Sequence, residues 1–279
     1  MADYQKIGAV NGKGLGSTKP FSLKQTFGVR RGEVISLVGG GGKTTLMFAL
    51  AQELAAAGES VITTTTTKIL KPSSAETPLL LVETGEEKLL RLFLQNMDKY
   101  RHITLASEVL PPRKLNGVSP ELVVKLAELN TVSCIIVEAD GAARRPLKAP
   151  SPHEPVIPHN TSLVIPVVGI DALGCKLTEE TVFRSEIVSR LTGLSMGRTV
   201  SAETIALLIT HLHGITKGSP TDARIVPLVN KVDLSDGLAR GRELASKILD
   251  KGHPQIERVV LGQVQLLEPV MEIISREVR

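Results

Sequence analysis

The chain has 279 residues, 42% of them hydrophobic and 22% charged, which is the composition of a globular protein with a sizeable core. The net charge of +4 suits an anionic ligand. With 3% aromatic residues and no Trp, the chain offers almost no stacking platforms for nucleic-acid bases, so we expect no nucleic-acid partner. No signal peptide or apolar run of spanning length is visible, which predicts a cytoplasmic protein without a membrane segment.

The first 20 residues lack apolar periodicity and predict a flexible leader, 1–20, followed by a single domain, 21–279. Apolar runs in that domain predict strands over 34–38, 61–67, 79–82, 103–107, 134–138, 163–168, 225–229 and 258–261. Helical spacing predicts helices over 21–27, 46–57, 86–97, 120–129, 179–191, 202–211, 236–250 and from about 268. Alternating strands and helices indicate an α/β protein with a mainly parallel sheet.

A glycine-rich loop joins the first of these strands to a long helix. Strand, glycine loop and helix in this order predict a phosphate-binding loop, because backbone N–H groups can surround an anion at the positive end of the helix. Lys43 would reach the terminal phosphates, which makes it a candidate catalytic residue, and Thr44 would complete the shell of Mg²⁺. The spacing is the short form G-x-x-G-K-T-T, because Leu37 stands where the longer form has its first glycine. The predicted nucleotide-binding residues here are Gly39, Gly40, Gly41, Gly42, Lys43, Thr44 and Thr45.

Five consecutive threonines, 63–67, lie in the second predicted strand of the domain, 61–67. Alternate threonines must face inward, where each hydroxyl needs a hydrogen-bond partner. Lys68 follows at the carboxyl end of the strand, where open α/β sheets bind ligands. It is therefore a candidate catalytic contact to a phosphate or substrate, and a solvated lysine at the strand exit is an equally weighted alternative.

A later strand delivers two acids at its carboxyl end, in the sequence Glu138-Ala139-Asp140-Gly141. One carboxylate after such a strand usually holds the Mg²⁺ shell, and a following glycine lets the backbone approach the terminal phosphate. Asp-x-x-Gly fails because Ala143 stands in the glycine position, whereas Glu-x-x-Gly fits. We therefore expect Glu138 to lie nearest the metal, Gly141 to contact the nucleotide, and Asp140 to be a catalytic carboxylate that orients water or substrate.

Residues 142–158 contain Arg144, Arg145, Lys148 and five prolines, and form a loop too long for a plain connector. It is a candidate substrate lid.

Asn230, Lys231 and Asp233 then follow a strand as Asn-Lys-x-Asp, an arrangement in which Asp accepts two N–H bonds from guanine and Lys covers the base plane. This favours GTP over ATP. The long interval before Asn230 predicts an insertion around 142–225.

These motifs lie at strand ends in the order of a nucleotide site, and predict a three-layer P-loop NTPase-like fold with helices on both faces of the sheet. The chain resembles the YqeC family of selenium-dependent hydroxylase accessory proteins, within the P-loop NTPase superfamily. The resemblance spans about residue 32 to the C-terminus and lies in 39–45, 63–72, 137–150, 183–186 and 230–233. The family is assigned, largely by genomic association, to maturation of selenium-containing molybdenum hydroxylases, and the resemblance implies no particular biochemical activity.

A more distant resemblance is to the metallochaperone GTPases that load nickel or cobalamin enzymes. The sequence lacks their His-rich tails and Cys-x-Cys-Cys motifs, which argues against metal carriage by the chain itself.

The leading hypothesis is a Mg²⁺- and GTP-dependent NTP hydrolase, with slow or partner-stimulated turnover, that assists maturation of a selenium-dependent molybdenum hydroxylase. ATP is the alternative nucleotide. The expected partners of the protein are the nucleotide and a molybdenum hydroxylase or the maturation proteins of that hydroxylase. A second copy of the chain is a candidate partner. A small-molecule kinase or ATP-dependent ligase acting on a cofactor precursor is one alternative, suggested by the short loop, Lys68 and the basic residues of 142–158. A nucleotide-binding regulatory module without turnover is the other.

Overall fold

The structure is a computed structural model, and it describes residues 4–9, 21–129 and 131–276. The strands are, in chain order, β1 (Tyr4–Ala9), β2 (Glu33–Gly39), β3 (Val61–Thr65), β4 (Lys68–Leu70), β5 (Leu80–Val82), β6 (His102–Ala106), β7 (Glu108–Leu110), β8 (Lys114–Asn116), β9 (Cys134–Glu138), β10 (Leu147–Lys148), β11 (Thr161–Gly169), β12 (Val182–Phe183), β13 (Arg224–Ile225), β14 (Leu228–Asn230), β15 (Arg258–Gly262) and β16 (Val270–Arg276). The helices are α1 (Leu23–Phe27), α2 (Lys43–Ala56), α3 (Glu86–Asn96), α4 (Pro120–Ala127), α5 (Ser185–Thr192), α6 (Ala202–Thr210) and α7 (Gly237–Asp250), with a 3-10 turn at Ile170–Ala172.

Within the described residues, the main sheet has 11 strands in the order β1-β16-β15-β14-β11-β2-β9-β3-β6-β5, with β13 beside β11. The pairs from β15 to β5 are parallel, and β16 and β1 add two antiparallel strands at one edge. This confirms the predicted α/β class with a mainly parallel central sheet. The loop after β2 therefore lies in the middle of the sheet, at the edge where the parallel strands end.

Helices cover both faces of this sheet because the side chains of a strand alternate between its faces. In β2, Ile35 and Leu37 pack with α1 and α2 on one face. Val34 packs on the other face with α3 and α4, and Val38 packs there with α5, α6 and α7. The predicted three layers are present. In the described part of the chain, no helix has the length and apolarity to cross a membrane.

Two predicted helices differ from the structure. The stretch expected to be a helix from about 268 is β16, whose β-branched residues Val270, Ile273 and Ile274 suit a strand paired with β15. The helix expected over 179–191 begins only at Ser185. Glu179 lies before it and caps it, since its carboxylate accepts from the backbone N–H of Ser185 at 2.6 Å and from its hydroxyl at 2.8 Å.

Two stretches with predicted boundaries contain strands of the main sheet. The predicted leader 1–20 includes β1, which pairs with β16, and residues 10–20 lie outside the described part of the chain. The predicted insertion 142–225 includes β11, which pairs with β2 and β14. Thus β11, a central strand of the sheet, comes from the stretch that sequence spacing had predicted to be an insertion. The division into one domain stays a prediction.

A small antiparallel sheet, β4-β8-β7, stands beside the carboxyl end of β3. Sequence patterns did not predict it, because each of its strands is only three residues long. Its core-facing residues, Ile69 and Leu115, are 4% and 0% exposed and pack in the same cluster as α2. This packing fixes the small sheet against the main sheet near the glycine loop.

The threonine strand is buried, and its hydroxyls are hydrogen-bonded as expected. Thr63 contacts the Nε2 atom of His102 at 2.9 Å, Thr64 donates to the carbonyl of Leu105 at 2.8 Å, and Thr65 donates to the carbonyl of Glu138 at 2.7 Å. These bonds join β3 to β6 and β9. Most of the threonine run thus serves the sheet, and only Thr66 and Thr67 line the cleft described below.

His102 predicts a pH dependence of stability. Burial lowers the pKa of its imidazole from 6.5 to about 4, so between these values the unfolded chain takes up a proton that the folded protein does not. We expect the free energy of unfolding to fall as the pH drops from 6.5 towards 4, by about 3 kcal/mol at about 1.36 kcal/mol per pH unit. Urea denaturation of wild type and His102→Gln at several pH values measures this.

The glutamine can keep the hydrogen bond to Thr63 and has no proton to gain, so the variant should lose this part of the pH dependence. His213→Gln, at an exposed position, is the control, and its free energy of unfolding should vary with pH as that of the wild type does. Parallel pH curves for wild type and His102→Gln would contradict the assignment.

Candidate functional site

The glycine loop is held by close contacts that exclude any side chain. A Cβ atom on Gly39 would lie 2.5 Å from the carbonyl oxygen of Val167, and one on Gly40 would lie 2.6 Å from that of Arg145. On Gly41 it would lie 2.1 Å from the backbone nitrogen of Gly169. The φ angles of Gly39, Gly41 and Gly42 are +93°, +77° and +128°, which side-chain-bearing residues rarely adopt. The glycines are thus required by packing against β11 and the segment after β9.

The first three glycines also use their N–H groups within the protein. Gly39 donates to Asp140 at 3.1 Å, Gly40 to the carbonyl of Val167 at 2.8 Å and Gly41 to the carbonyl of Arg145 at 3.0 Å. The sequence had suggested that all four glycines turn these groups towards an anion. In the structure, no side chain caps the first turn of α2, which begins at Lys43, so the N–H groups of this turn are the ones that remain available to an anion.

Lys43 lies at the N-terminus of α2 and is 3% exposed. Its Nζ atom donates to the carbonyl of Gly39 at 2.6 Å and lies 3.1 Å from Asp140 and 3.6 Å from Glu138. Burial lowers the pKa of this amine, but the two carboxylates outweigh it and hold the pKa above its ordinary value. Lys43 is therefore a fixed positive charge at the point where the loop meets the helix.

Thr44 and Glu138 meet as the sequence predicted for a magnesium site. The Thr44 hydroxyl donates to Oε2 of Glu138 at 2.7 Å. Burial raises the pKa of the Glu138 carboxyl, against the effect of Lys43 and the hydrogen bond from Thr44. One hydroxyl and one carboxylate are the hard oxygen donors that Mg²⁺ takes from a protein when phosphates and water supply the rest. The two residues fit such an ion, and both line the cleft beside the loop.

Asp140 has a different position from the one expected for a residue that orients water. It is 1% exposed, and its oxygens contact the Gly39 N–H group, Lys43 and Lys148. It therefore positions the glycine loop and its lysine. Gly141, the next residue, lines the cleft, and a Cβ atom on it would meet nothing within 4 Å.

Lys148 is the residue of this site whose burial sequence reasoning missed. It is 0% exposed, and its Nζ atom lies 3.0 Å from Asp140, 2.8 Å from Glu154 and 2.8 Å from the carbonyl of Gly141. Arg184 pairs with the same oxygen of Glu154. Burial would raise the pKa of Glu154, but Arg184 and Lys148 outweigh it and lower the pKa. A chain of ion pairs thus runs from Lys43 through Asp140, Lys148 and Glu154 to Arg184.

The Asn-Lys-x-Asp motif lies at the end of β14, two strands from β2. Asn230 is buried, donates to the carbonyl of Gly41 at 2.9 Å and accepts from the N–H of Val264 at 3.1 Å. Lys231 has φ +66°, lines the cleft and pairs with Asp171 at 2.6 Å. Asp233 lies on the exposed turn that follows. Asn230 therefore positions the loop, while the structure brings Lys231 but not Asp233 to the cleft wall.

The cleft joins most of the predicted site residues in one space of about 1320 Å³. Its walls are the glycine loop with α2, the ends of β3 and β9, the small sheet and the segment after β9. The lining residues that the sequence had predicted to bind or react are Gly41, Gly42, Lys43, Thr44, Thr45, Lys68, Glu138, Gly141 and Lys231. Lys68 lines it as the exposed first residue of β4. Together the glycine loop, Lys43, Thr44 and Glu138 have the arrangement of a nucleotide-binding site.

Comparison with known proteins gives a family, and the solved structures include a weak likeness. An Escherichia coli (strain K12) protein named "Uncharacterized protein YqeC" is 32% identical over 152 residues, which are 54% of this chain and 58% of that protein. The match thus spans less than two thirds of the relative. The crystal structure of FtsY from Mycoplasma mycoides matches with a TM-score of 0.30 and 9% identity, over 86% of this chain and 63% of that one. A TM-score of 0.30 is too low to establish a shared fold.

The family described as YqeC protein matches residues 35–186. That range extends from β2 through the glycine loop, Glu138 and Lys148 to the start of α5, and covers more than half of the chain. It contains the whole chain of ion pairs from Lys43 to Arg184. The resemblance inferred from the motifs is confirmed, and the chain belongs to the YqeC family.

Proposed function

We propose that this protein binds Mg²⁺ and GTP and hydrolyses GTP slowly or on stimulation by a partner, as an accessory factor in maturation of a selenium-dependent molybdenum hydroxylase. The observation that carries the proposal is the joint placement of Lys43, Thr44 and Glu138 at the N-terminus of α2. A lysine for the terminal phosphates, a hydroxyl and carboxylate for Mg²⁺ and a helix N-terminus for the anion are the parts that phosphoryl chemistry requires.

Slow or partner-stimulated turnover is supported by the state of the carboxylates that line the cleft. Glu138 accepts from Thr44, Glu154 is paired with Lys148, and Glu76 accepts from Ser73. Among the described lining residues, each carboxylate is thus already bonded within the protein. Since orienting the attacking water is a large part of catalysis in such enzymes, a group from a partner would raise the rate.

The preference for GTP is supported by the turn that follows β14. Asn230 ties this turn to Gly41, so a base bound at the turn has a fixed distance from the phosphates. Lys231 lines the same cleft, and Asp233 follows it with an exposed carboxylate. An exposed carboxylate can accept the two N–H groups of guanine, whereas adenine presents a different edge.

Asp233→Ala tests this preference. We expect GTP affinity to fall by about tenfold or more, because hydrogen bonds to a charged acceptor are each worth about 1.5 kcal/mol or more, while ATP affinity stays as it was. Calorimetric titration of both nucleotides measures the change. Asp222→Ala removes a carboxylate of similar exposure just before β13, on the side of the sheet where the parallel strands begin. This variant should bind both nucleotides like the wild type. Equal affinity of the wild type for ATP and GTP would refute the preference.

The role in enzyme maturation is supported by membership of the YqeC family, and its partner would be a molybdenum hydroxylase or one of its maturation proteins. Co-purification of the tagged chain with such a hydroxylase in the presence of GTP, and a faster GTP hydrolysis by the mixture, is the expected result. A Lys43→Ala chain serves as the control. Hydrolysis unchanged by the hydroxylase and by its maturation proteins would count against this role.

A further inference from the structure

The cleft extends past the glycine loop on the side away from Asn230. In the sheet, β14 lies two strands from β2 in one direction and β3 lies two strands away in the other. With strands about 4.8 Å apart, the two ends lie about 10 Å to either side of the loop. A nucleotide with its phosphates on the loop and its base beside Lys231 fills the β14 side. The β3 side stays open to a second ligand.

The small sheet forms the wall of this β3 side. In the antiparallel register Lys68 pairs with Asn116, and Leu70 pairs with Lys114, so these four residues share one face. All four line the cleft. The opposite face, with Ile69 and Leu115, is buried in the core. The pleat of the small sheet therefore turns two lysines, an amide and a leucine towards the cleft. The leucine, Leu70, is 43% exposed.

Positive charge on this side is not balanced by the protein. Lys68, Lys71, Lys114 and Arg144 line the cleft, and none of them forms an ion pair with another described residue. Of the three acids that line the cleft, Glu138 is bonded to Thr44 and Lys43, and Glu154 is paired with Lys148 and Arg184. The third, Glu76, accepts from Ser73, so a single carboxylate stands against the four cations. Four cations without a paired acid around one open cleft favour an anion with more than one negative charge.

Three residues with side chains that line the same cleft have strained backbone conformations. Ala143, Arg144 and Arg184 have φ angles of +46°, +60° and +59°, and all three line the cleft. Residues with side chains avoid this region, and such outliers concentrate at ligand-binding sites. Arg144 and Arg184 thus line the same cleft as Lys68 and Lys114.

We infer that the β3 side of the cleft is a second binding site, which takes a phosphorylated small molecule beside the terminal phosphate of the nucleotide. Its position next to a nucleotide rests on the proposed function. Lys68, Lys114 and Arg144 bind the phosphate groups, and Leu70 contacts the apolar part of the molecule. The glycine loop, the small sheet and the segment after β9 enclose the site on three sides, which suits a small molecule better than a protein segment. The total volume of about 1320 Å³ exceeds the roughly 300–1,000 Å³ of a pocket for one small ligand.

The test uses the full chain saturated with Mg²⁺ and a non-hydrolysable GTP analogue, so that the terminal-phosphate position is filled. Inorganic pyrophosphate is then titrated by calorimetry. We expect binding to one site, weakened by about 10-fold or more in Lys68→Ala/Lys114→Ala, since two charged contacts are removed. Lys99→Ala/Lys247→Ala removes the same charge at exposed positions outside the cleft and should bind pyrophosphate like the wild type.

Failure of pyrophosphate to bind the loaded protein, or equal binding by the Lys68→Ala/Lys114→Ala variant, would overturn the inference. A hexaglutamate peptide provides the comparison with a protein-like ligand, and tighter binding of the peptide than of pyrophosphate would also overturn it. If the GTP analogue itself does not bind, the proposed function fails separately. Pyrophosphate is then titrated into Lys43→Ala protein without nucleotide, where binding that disappears on adding the Lys68→Ala and Lys114→Ala changes supports the second site, and absence of binding overturns it.

Discussion

Replacing Lys43 by alanine is expected to abolish measurable binding of GTP and to lower the free energy of unfolding by about 3 kcal/mol or more. The two effects have one origin. The Nζ atom of Lys43 is the positive charge at the N-terminus of α2, and it also lies 3.1 Å from Asp140 and 3.6 Å from Glu138, two carboxylates that are almost completely buried. Without it, the phosphates lose a cation, Asp140 keeps Lys148 as its only paired cation among the described residues, and Glu138 keeps only the hydrogen bond from Thr44.

A second substitution separates binding from stability. In Lys43→Ala/Asp140→Asn the amide removes one of the two carboxylate charges that Lys43 had balanced, so part of the lost stability should return while GTP binding stays absent. Urea denaturation measures the first quantity, and calorimetry at a temperature where both variants are folded measures the second. GTP affinity equal to that of the wild type in Lys43→Ala would remove the basis for the nucleotide site.

The ion pairs of Lys43 contribute to the stability of the protein, and this contribution also depends on pH. The direction of the dependence follows from the pKa of Lys43. The pKa is higher in the folded protein than in the unfolded chain, so the contribution of the ion pairs is fully present below 10.5 and is lost as the pH rises through the folded value. Phosphate binding through Lys43 is therefore insensitive to pH across the neutral range.

The parts of the site that could be predicted from the sequence are those set by a strand end. Thr44 and Glu138 are 94 positions apart, yet Glu138 ends the parallel strand β9 and Thr44 begins the helix that follows the parallel strand β2, so the order of the motifs brings them to the same edge of the sheet, where they are 2.7 Å apart. The same order predicted the Asn-Lys-x-Asp motif at a strand end on this side of the sheet, but the bond from Asn230 to Gly41 was not predicted.

What escaped sequence reasoning depends on contacts between distant segments. The sequence predicted a strand over 163–168, but its place between β2 and β14 is a pairing choice that no local pattern encodes, so 142–225 looked like an insertion. The close approach of Gly39 to Val167 and of Gly41 to Gly169 depends on that pairing. Likewise, a lysine in a proline-rich loop resembles a surface residue until Asp140 and Glu154 are seen on either side of Lys148.

Replacing Lys148 by methionine is the other change with a large expected effect. The side chain is fully buried, and loss of its ammonium group leaves Asp140 with one fewer cation and Glu154 with Arg184 alone. Breaking a buried ion pair from one side costs about 3–5 kcal/mol, and we expect a loss of free energy of unfolding in that range. GTP affinity should fall less than in Lys43→Ala, because Lys148 acts on the phosphates only through Asp140 and the loop.

A double-mutant cycle with Glu154→Gln gives the decisive measurement. If Lys148 is held as an ion-pair partner, Lys148→Met/Glu154→Gln should be more stable than the sum of the two single changes predicts, by about 1 kcal/mol or more. Additive losses would instead mean that Lys148 contributes through packing. A positive coupling would tie the segment after β9 to the glycine loop through one continuous set of charges. Movement of that segment when a ligand enters the β3 side would then be transmitted to Lys43, the residue that holds the phosphates.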